Sequence, residues 1–199
     1  RVASEAALQA TATPSFTLTI RVTDNGSPAL STTCTASVTV LEAATLGVTS
    51  IQREMFYNIG NGTAVSDLTS NAKYPGKPDA LAAMSTFAAP ADVADNYGSR
   101  IRGNLLPTTS GSYLFFIASD DSSQLKLSTS SDPLAATVIA SVSGYTAQNV
   151  WNTYASQTSG ARALVAGQRY YIEALQKEGG GGDHVSVAWS LVGSGVTNI

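Results

Sequence analysis

Two adjacent carboxylates, Asp120 and Asp121, directly follow an apolar stretch at residues 113–118. Neighbouring anions repel each other, and a bound cation removes this repulsion. Calcium accepts about six to eight hard oxygen ligands, a role for which carboxylates are well suited. The pair therefore indicates a calcium site, while a solvated Asp-Asp turn without an ion stays open as the alternative.

A glycine-rich segment at residues 179–183 could supply further oxygen ligands, since four glycines there precede Asp183. Glycine allows positive φ and a close approach of the backbone, which exposes carbonyl oxygens. A flexible hairpin loop is the alternative interpretation of this segment. A phosphate-binding loop is excluded, because no Lys-Ser or Lys-Thr pair follows the glycines.

The elements that must position these residues have the pattern of short strands. Clusters of turn-forming residues separate stretches of alternating or apolar residues, and the one short helical segment that we expect lies at residues 79–86. Many short strands of this kind predict an all-β antiparallel β-sandwich or barrel. The predicted strands are residues 51–57, 99–105, 111–118, 124–128, 137–141, 169–175 and 185–191.

The N-terminal part of the chain has a simpler pattern. Residues 16–23 and 33–41 alternate between apolar and polar types, and a dense turn signal separates them. Residues 22–31, Val-Thr-Asp-Asn-Gly-Ser-Pro-Ala-Leu-Ser, resemble the last two strands of a cadherin repeat. The acidic calcium linker of that family is absent, so the resemblance implies a scaffold without an ion site. We expect residues 1–45 to be the C-terminal fragment of such a repeat.

Three longer segments, residues 98–107, 111–127 and 170–189, closely resemble the lectin-like β-sandwich domain named after the toxin protective antigen. That domain also occurs in bacterial adhesins and yeast flocculins, and as an insert in β-glucosidases. The resemblance implies a jelly-roll-like antiparallel sandwich, here at residues 46–193. Residues 194–199 are then expected to be a tail towards a following region.

The same resemblance implies how the residues that carry chemistry are used. In that family a cis peptide joins the two aspartates, the glycine loop completes the calcium site, and vicinal sugar hydroxyls coordinate the ion. The implied calcium ligands are Asp120, Asp121, Gly181, Gly182 and Asp183. The expected contacts to carbohydrate are Asp120, Asp121, Gly181, Asp183, His184, Gln124 and Trp151. A loop residue whose backbone matters more than its ring is the favoured interpretation of His184. Trp189 is expected to be a core residue.

Composition limits the possible partners. The net charge is −3 without any cluster of Lys or Arg, which argues against nucleic acid as a partner. Cys34 is the only cysteine, which excludes an intrachain disulfide and a Cys-based zinc site, and we expect it to be buried in a strand. No apolar run is long enough for a membrane helix, so direct membrane insertion is not expected. Charged residues make up only 13% of the chain, which is typical of a neutral, hydroxyl-rich extracellular surface.

These features together predict a calcium-dependent carbohydrate-binding module of a larger extracellular or cell-surface protein. Its partners would be glycans or polysaccharide on a surface or matrix, together with neighbouring copies or domains of the parent protein. A lone histidine without a nucleophile motif, and carboxylates too close together for glycoside hydrolysis, predict a non-enzymatic protein. A structural module of a filament or stalk without sugar binding is the alternative. Asn25 and Asn61 lie in Asn-Gly-Ser and Asn-Gly-Thr sequons, where glycosylation is possible.

Overall fold

The computed structural model describes residues 15–39 and 51–199, which fall into two units. In the first unit, β1 (Ser15–Thr23) and β2 (Ser31–Thr39) form an antiparallel hairpin. The carboxylate of Asp24 closes its turn by accepting hydrogen bonds from the amides of Gly26 and Leu30. The predicted strand pair is confirmed over these residues, whereas the predicted boundary after residue 45 lies outside the described residues.

Cys34, on β2, is exposed, and the prediction of a buried cysteine is wrong. A two-stranded hairpin described by itself has no second layer that could bury the side chains of its strands.

The second unit is built from short strands and one short α-helix. Single turns of 3-10 helix lie at Pro133–Ala135 and Ala155–Gln157. The remaining elements are β3 (Ile51–Phe56), α1 (Val65–Thr69), β4 (Ala80–Met84), β5 (Tyr97–Leu105), β6 (Gly111–Asp120), β7 (Ser123–Leu127), β8 (Thr137–Val142), β9 (Arg162–Leu164), β10 (Tyr170–Glu178), β11 (His184–Leu191) and β12 (Thr197–Asn198).

The strands of the second unit form two antiparallel sheets around one core. The larger sheet has the order β4-β3-β5-β10-β7-β8, and the smaller has the order β12-β11-β6-β9. Alternate residues of β6, namely Tyr113, Phe115 and Ile117, are buried against Leu125 and Ile172 of the larger sheet. The predicted all-β antiparallel β-sandwich is therefore confirmed.

The central strand β10 is buried along its whole length, because both of its faces are covered. Ile172 faces the core between the sheets, whereas Leu175 packs on the outer face with Phe56 and with Leu68 of α1. The sequence pattern predicted the end of this strand at residue 175. The structure continues it to Glu178, through polar side chains that are nonetheless buried.

Two segments differ from the prediction. The helix expected at residues 79–86 is instead β4, where good helix formers such as alanine are held by pairing with β3. Residues 197–199, in the stretch expected to be a tail towards a following region, are joined to the domain, since β12 pairs with β11 and the carbonyl of Ile199 accepts a hydrogen bond from the amide of Phe87. Both differences arise from pairing between residues far apart in sequence, which local pattern does not reveal.

Among the helices of the described residues, none combines the length and the apolar character that crossing a membrane requires.

Candidate functional site

The aspartate pair and the glycine loop lie at the same end of the sandwich. In the smaller sheet His184 at the start of β11 is paired with Asp120 at the end of β6. In the larger sheet Glu178 at the end of β10 is paired with Tyr97 at the start of β5. Strand register therefore brings together three loops, those between β6 and β7, between β10 and β11, and between β4 and β5.

Hydrogen bonds fix the conformation of the aspartate pair. The peptide between Asp120 and Asp121 is cis, as the family resemblance implies. The amide of Asp121 donates to Oε2 of Glu178 at 2.9 Å. Oδ2 of Asp121 accepts a hydrogen bond from the amide of Gly179 at 3.0 Å. The carbonyl of Asp120 accepts a bond from Nε2 of Gln176 at 2.8 Å. The end of β10 thus holds both aspartates in place.

Three carboxylates converge at this point. Asp120, Asp121 and Glu178 each place a carboxylate oxygen within 4.8 Å of the others. Glu178 is fully buried, and its Oε1 has no hydrogen-bond partner among the described residues. A buried acceptor without a donor is costly, and a cation would satisfy it. The donor set of hard oxygens fits calcium.

The glycine loop lies beside these carboxylates. Gly181 has φ +114° and its amide donates to Oδ1 of Asp95 at 3.2 Å, so this position favours glycine. A Cβ atom at Gly182 would lie 3.6 Å from Oδ2 of Asp120 and 3.6 Å from Oδ1 of Asp92. Gly182 therefore lies directly against Asp120 and Asp92.

Asp183, at the end of the loop, is buried with 2% of its surface exposed. Its Oδ2 accepts hydrogen bonds from the amides of Val93 at 2.7 Å and Ala94 at 2.9 Å. Its Oδ1 has no hydrogen-bond partner among the described residues. One oxygen of Asp183 thus anchors the loop between β4 and β5, whereas the group of converging carboxylates, Asp120, Asp121 and Glu178, does not include Asp183.

Burial, and then repulsion between the anions, shifts the pKa values of groups at this site. Burial, and then the neighbouring Asp121 carboxylate, raises the pKa of Asp120, and the nearby His184 partly offsets the rise. Burial, with added repulsion from Asp121 and Asp120, raises the pKa of Glu178 to about 7. Burial is also the main cause that raises the pKa of the Tyr97 hydroxyl, and the Asp183 carboxylate adds to it. A bound cation would relieve the repulsion among these groups.

The expected rim residues differ in their positions. His184 is 7% exposed, and its Nε2 lies 3.0 Å from the carbonyl of Thr146. Trp151 packs beside Phe116, with ring centroids 6.4 Å apart. Gln124 is paired with Leu175, so its side chain lies on the sheet face opposite that of Glu178. The structure therefore does not bring Gln124 to the carboxylates. Trp189, expected in the core, is partly buried and stacks on Tyr113 at 4.8 Å between ring centroids.

Several residues at this end of the sandwich were missed from the sequence. Glu178 directly precedes the four glycines, and Asp92 and Asp95 lie in a polar segment before β5, so adjacency to the loop and a count of carboxylates could have indicated them. Tyr145 is 67% exposed, next to Thr146, whose amide donates to the carbonyl of Ser119. No sequence signal distinguishes Tyr145 from other loop tyrosines.

Solved structures share this fold. A structure described as the PA14 sugar-binding domain from an RTX adhesin has a TM-score of 0.57 at 14% identity, over 75% of this chain and 94% of that one. The Epithelial Adhesin 9 A domain from Candida glabrata, solved in complex with Galb1-4GlcNAc, has a TM-score of 0.53 at 10% identity, over 74% of this chain and 84% of that one. At these identities the likeness concerns the fold.

A curated relative is more similar in sequence. The N-acetyl-beta-glucosaminyl-glycoprotein 4-beta-N-acetylgalactosaminyltransferase 1 of Mus musculus is 38% identical over 133 residues, which are 64% of this chain. The match spans only 13% of that protein. Because this relative is named as an enzyme, it contradicts the expectation of a non-enzymatic protein, which is therefore corrected.

A family model covers most of the second unit. The model described as "PA14 domain" matches residues 76–198, which include the aspartate pair, the end of β10 and the glycine loop. This match extends over more than half of the 199 residues. The chain therefore belongs to the PA14 domain family.

Proposed function

We propose that the second unit is a calcium-dependent carbohydrate-binding module. The observation that carries this proposal is the convergence of the Asp120, Asp121 and Glu178 carboxylates, with a buried Glu178 oxygen that no donor satisfies. Such a cluster of hard oxygens at the end of a sandwich suits a divalent cation. The sugar-binding relatives that share the fold support carbohydrate as the ligand class.

The ion would be held by side chains and by backbone. Side-chain ligands would come from Asp120, Asp121, Glu178 and Asp183, and the carbonyls of Gly181 and Gly182 would complete the set. Calcium, when bound, supplies open coordination positions that two vicinal hydroxyls of a sugar can occupy.

The chain's own residues would orient the sugar. Asp120 and Asp121 are partly exposed, so their carboxylates can accept hydrogen bonds from sugar hydroxyls. Such charge-assisted bonds are stronger than neutral ones. The glycines at residues 180–182 carry no side chain that would block a ring above the carboxylates. His184 and Trp151 stay proposed contacts at the rim, whereas Gln124, on the opposite sheet face, is no longer proposed as one.

The organisation of the chain supports a place outside the cell. We propose that residues 1–45 are the end of a cadherin-like repeat that serves as a scaffold, followed by the carbohydrate-binding domain. Glycans of a surface or matrix would be the partners, and weak single sites would gain strength through several copies. A structural role in a stalk is the second candidate, since it needs the scaffold but no sugar.

Thermal unfolding of the chain with calcium, with chelator, and with calcium plus a sugar panel tests this proposal. The panel includes Galb1-4GlcNAc, the ligand of the Candida glabrata domain. Calcium is expected to raise the melting temperature, and a bound sugar to raise it further. Asp121→Asn, which keeps the side chain's size, should abolish both shifts.

Asp132→Asn is the matched control, because Asp132 caps a 3-10 helix after β7 and accepts a bond from the amide of Leu134. It should leave both shifts unchanged. Absence of any calcium shift in the wild-type chain would refute the cation site. A calcium shift without sugar binding on a glycan array would favour the structural role.

A further inference from the structure

The chain contains two Asn-Gly dipeptides, Asn25-Gly26 and Asn61-Gly62. The first lies in the turn between β1 and β2, and the second lies in the loop between β3 and α1. In such a dipeptide the backbone nitrogen of the glycine can attack the side-chain amide of the asparagine, since no Cβ hinders its approach. Both asparagines are exposed, so composition and exposure do not distinguish the two positions.

Hydrogen bonding of the attacking nitrogen does distinguish them. The amide of Gly26 donates to Oδ1 of Asp24 at 3.1 Å, and the same oxygen accepts from the amide of Leu30 at 2.8 Å. Attack by Gly26 must therefore break a hydrogen bond to a charged acceptor that also closes the turn. Among the described residues, the amide of Gly62 has no hydrogen-bond partner, so its attack breaks none.

The backbone around Asn61 permits the rotation that ring closure needs. Glycine flanks Asn61 on both sides, and Gly60 has φ +88°, with no atom within 4 Å of the place where its Cβ would lie. In the part of the chain that the structure describes, the amides of Asn61 and Thr63 also have no hydrogen-bond partner. Neither helix nor sheet therefore holds this tip of the loop, which is where chain changes of this kind concentrate.

We propose that Asn61 is a site of spontaneous deamidation, and that its conversion loosens the loop between β3 and α1. The nitrogen of Gly62 forms a bond to Cγ of Asn61, and its proton leaves with the side-chain nitrogen as ammonia, which closes a succinimide ring. One water molecule then opens the ring at either carbonyl and gives aspartate or isoaspartate at position 61. Water is the only co-reactant, and no group is oxidised or reduced. The inference goes beyond the proposed function and does not depend on it.

The conversion matters because it falls between two anchored points of the loop. The carbonyl of Gly60 accepts a hydrogen bond from the buried ammonium of Lys177 at 2.8 Å, and the amide of Ala64 donates to Oδ2 of Asp67 at 3.0 Å. Isoaspartate carries the main chain through the former side chain and lengthens it by one carbon, so both anchors cannot keep their geometry. The modified chain should therefore melt a few degrees lower than the intact chain.

Peptide mapping by mass spectrometry after incubation of the chain at mildly alkaline pH tests the proposal. In the folded chain Asn61 should convert at least about tenfold faster than Asn25, because a hydrogen bond to a charged acceptor adds to the barrier at Asn25. In concentrated urea, where that hydrogen bond is lost, the two asparagines should convert at similar rates. Thermal unfolding in chelator, before and after incubation, should show the lower melting temperature of the converted chain.

Asn61→Gln should remove the site, since glutamine would have to close a larger ring, and its melting temperature should not change on incubation. Asn25→Gln is the matched control and should age as the wild type does. Equal rates at Asn25 and Asn61 in the folded chain, or an Asn61 that converts only in urea, would overturn the proposal. A chain converted to isoaspartate at position 61 that melts like the intact chain would refute the loosening of the loop.

Discussion

Replacing Glu178 by glutamine separates the charge of this residue from its hydrogen bond. Glutamine keeps an oxygen that can accept from the amide of Asp121, so the loop geometry is retained. It removes one of the three anions whose oxygens lie within 4.8 Å of one another. At an effective dielectric constant near 20, two unit charges at that separation repel by about 3 kcal/mol. At a pH where Glu178 of the wild type is ionised, Glu178→Gln should therefore raise the free energy of unfolding of the apo protein by up to about 3 kcal/mol.

The sign of this effect depends on pH. Because the pKa of Glu178 is raised to about 7 in the folded chain, the folded state binds more protons than the unfolded state between about pH 4.5 and 7. Wild-type stability without calcium should fall as pH rises through that window, whereas Glu178→Gln should not share this fall. At pH 8 the variant should melt several degrees higher than the wild type, and at pH 5 the two should converge.

Calcium reverses the comparison, since the ion needs the charge that the variant lacks. At pH 8 the calcium affinity of Glu178→Gln should be at least about tenfold weaker, a loss of roughly 1.4 kcal/mol. The assays are urea unfolding in chelator at pH 5 and pH 8, and titration calorimetry with calcium at pH 8. If the variant equals the wild type in calcium affinity and in the pH dependence of its stability, Glu178 is not part of the cation site.

Two further substitutions test neighbouring parts of the site. Gly179→Ala should weaken calcium binding and lower the melting temperature by several degrees. The added Cβ would lie 2.8 Å from the backbone oxygen of Asn61, and the backbone there cannot shift easily. An unchanged melting curve would contradict this. Tyr145→Ala should reduce sugar affinity about fivefold and leave calcium affinity unchanged, because Tyr145 is 67% exposed and precedes Thr146, whose amide donates to the carbonyl of Ser119 next to the aspartate pair, and an exposed tyrosine ring offers a flat apolar face to a sugar. Equal sugar affinity in glycan-array and calorimetric measurements would remove Tyr145 from the binding surface.

The sequence indicated the strands and the site residues where local pattern carries the information. An apolar stretch predicted β6 and alternation predicted β11, and both strands carry side chains into the core. The pair Asp120–Asp121 and the glycine loop were visible as unusual runs. Glu178 was not, because its approach to Asp121 depends on the end of β10 meeting the end of β6 across two sheets. β4 was missed for the same kind of reason, since pairing with β3 overrides its helical composition.

The polar end of β10 agrees with the proposed cation site. A central strand covered on both faces ordinarily carries apolar residues, as β10 does at Ile172 and Leu175. Lys177 and Glu178 are nevertheless fully buried, on opposite faces of the strand. Lys177 is satisfied by the carbonyls of Gly60 and Glu178, whereas one oxygen of Glu178 is left without a donor. A buried oxygen without a donor costs stability, and the proposed cation would satisfy it.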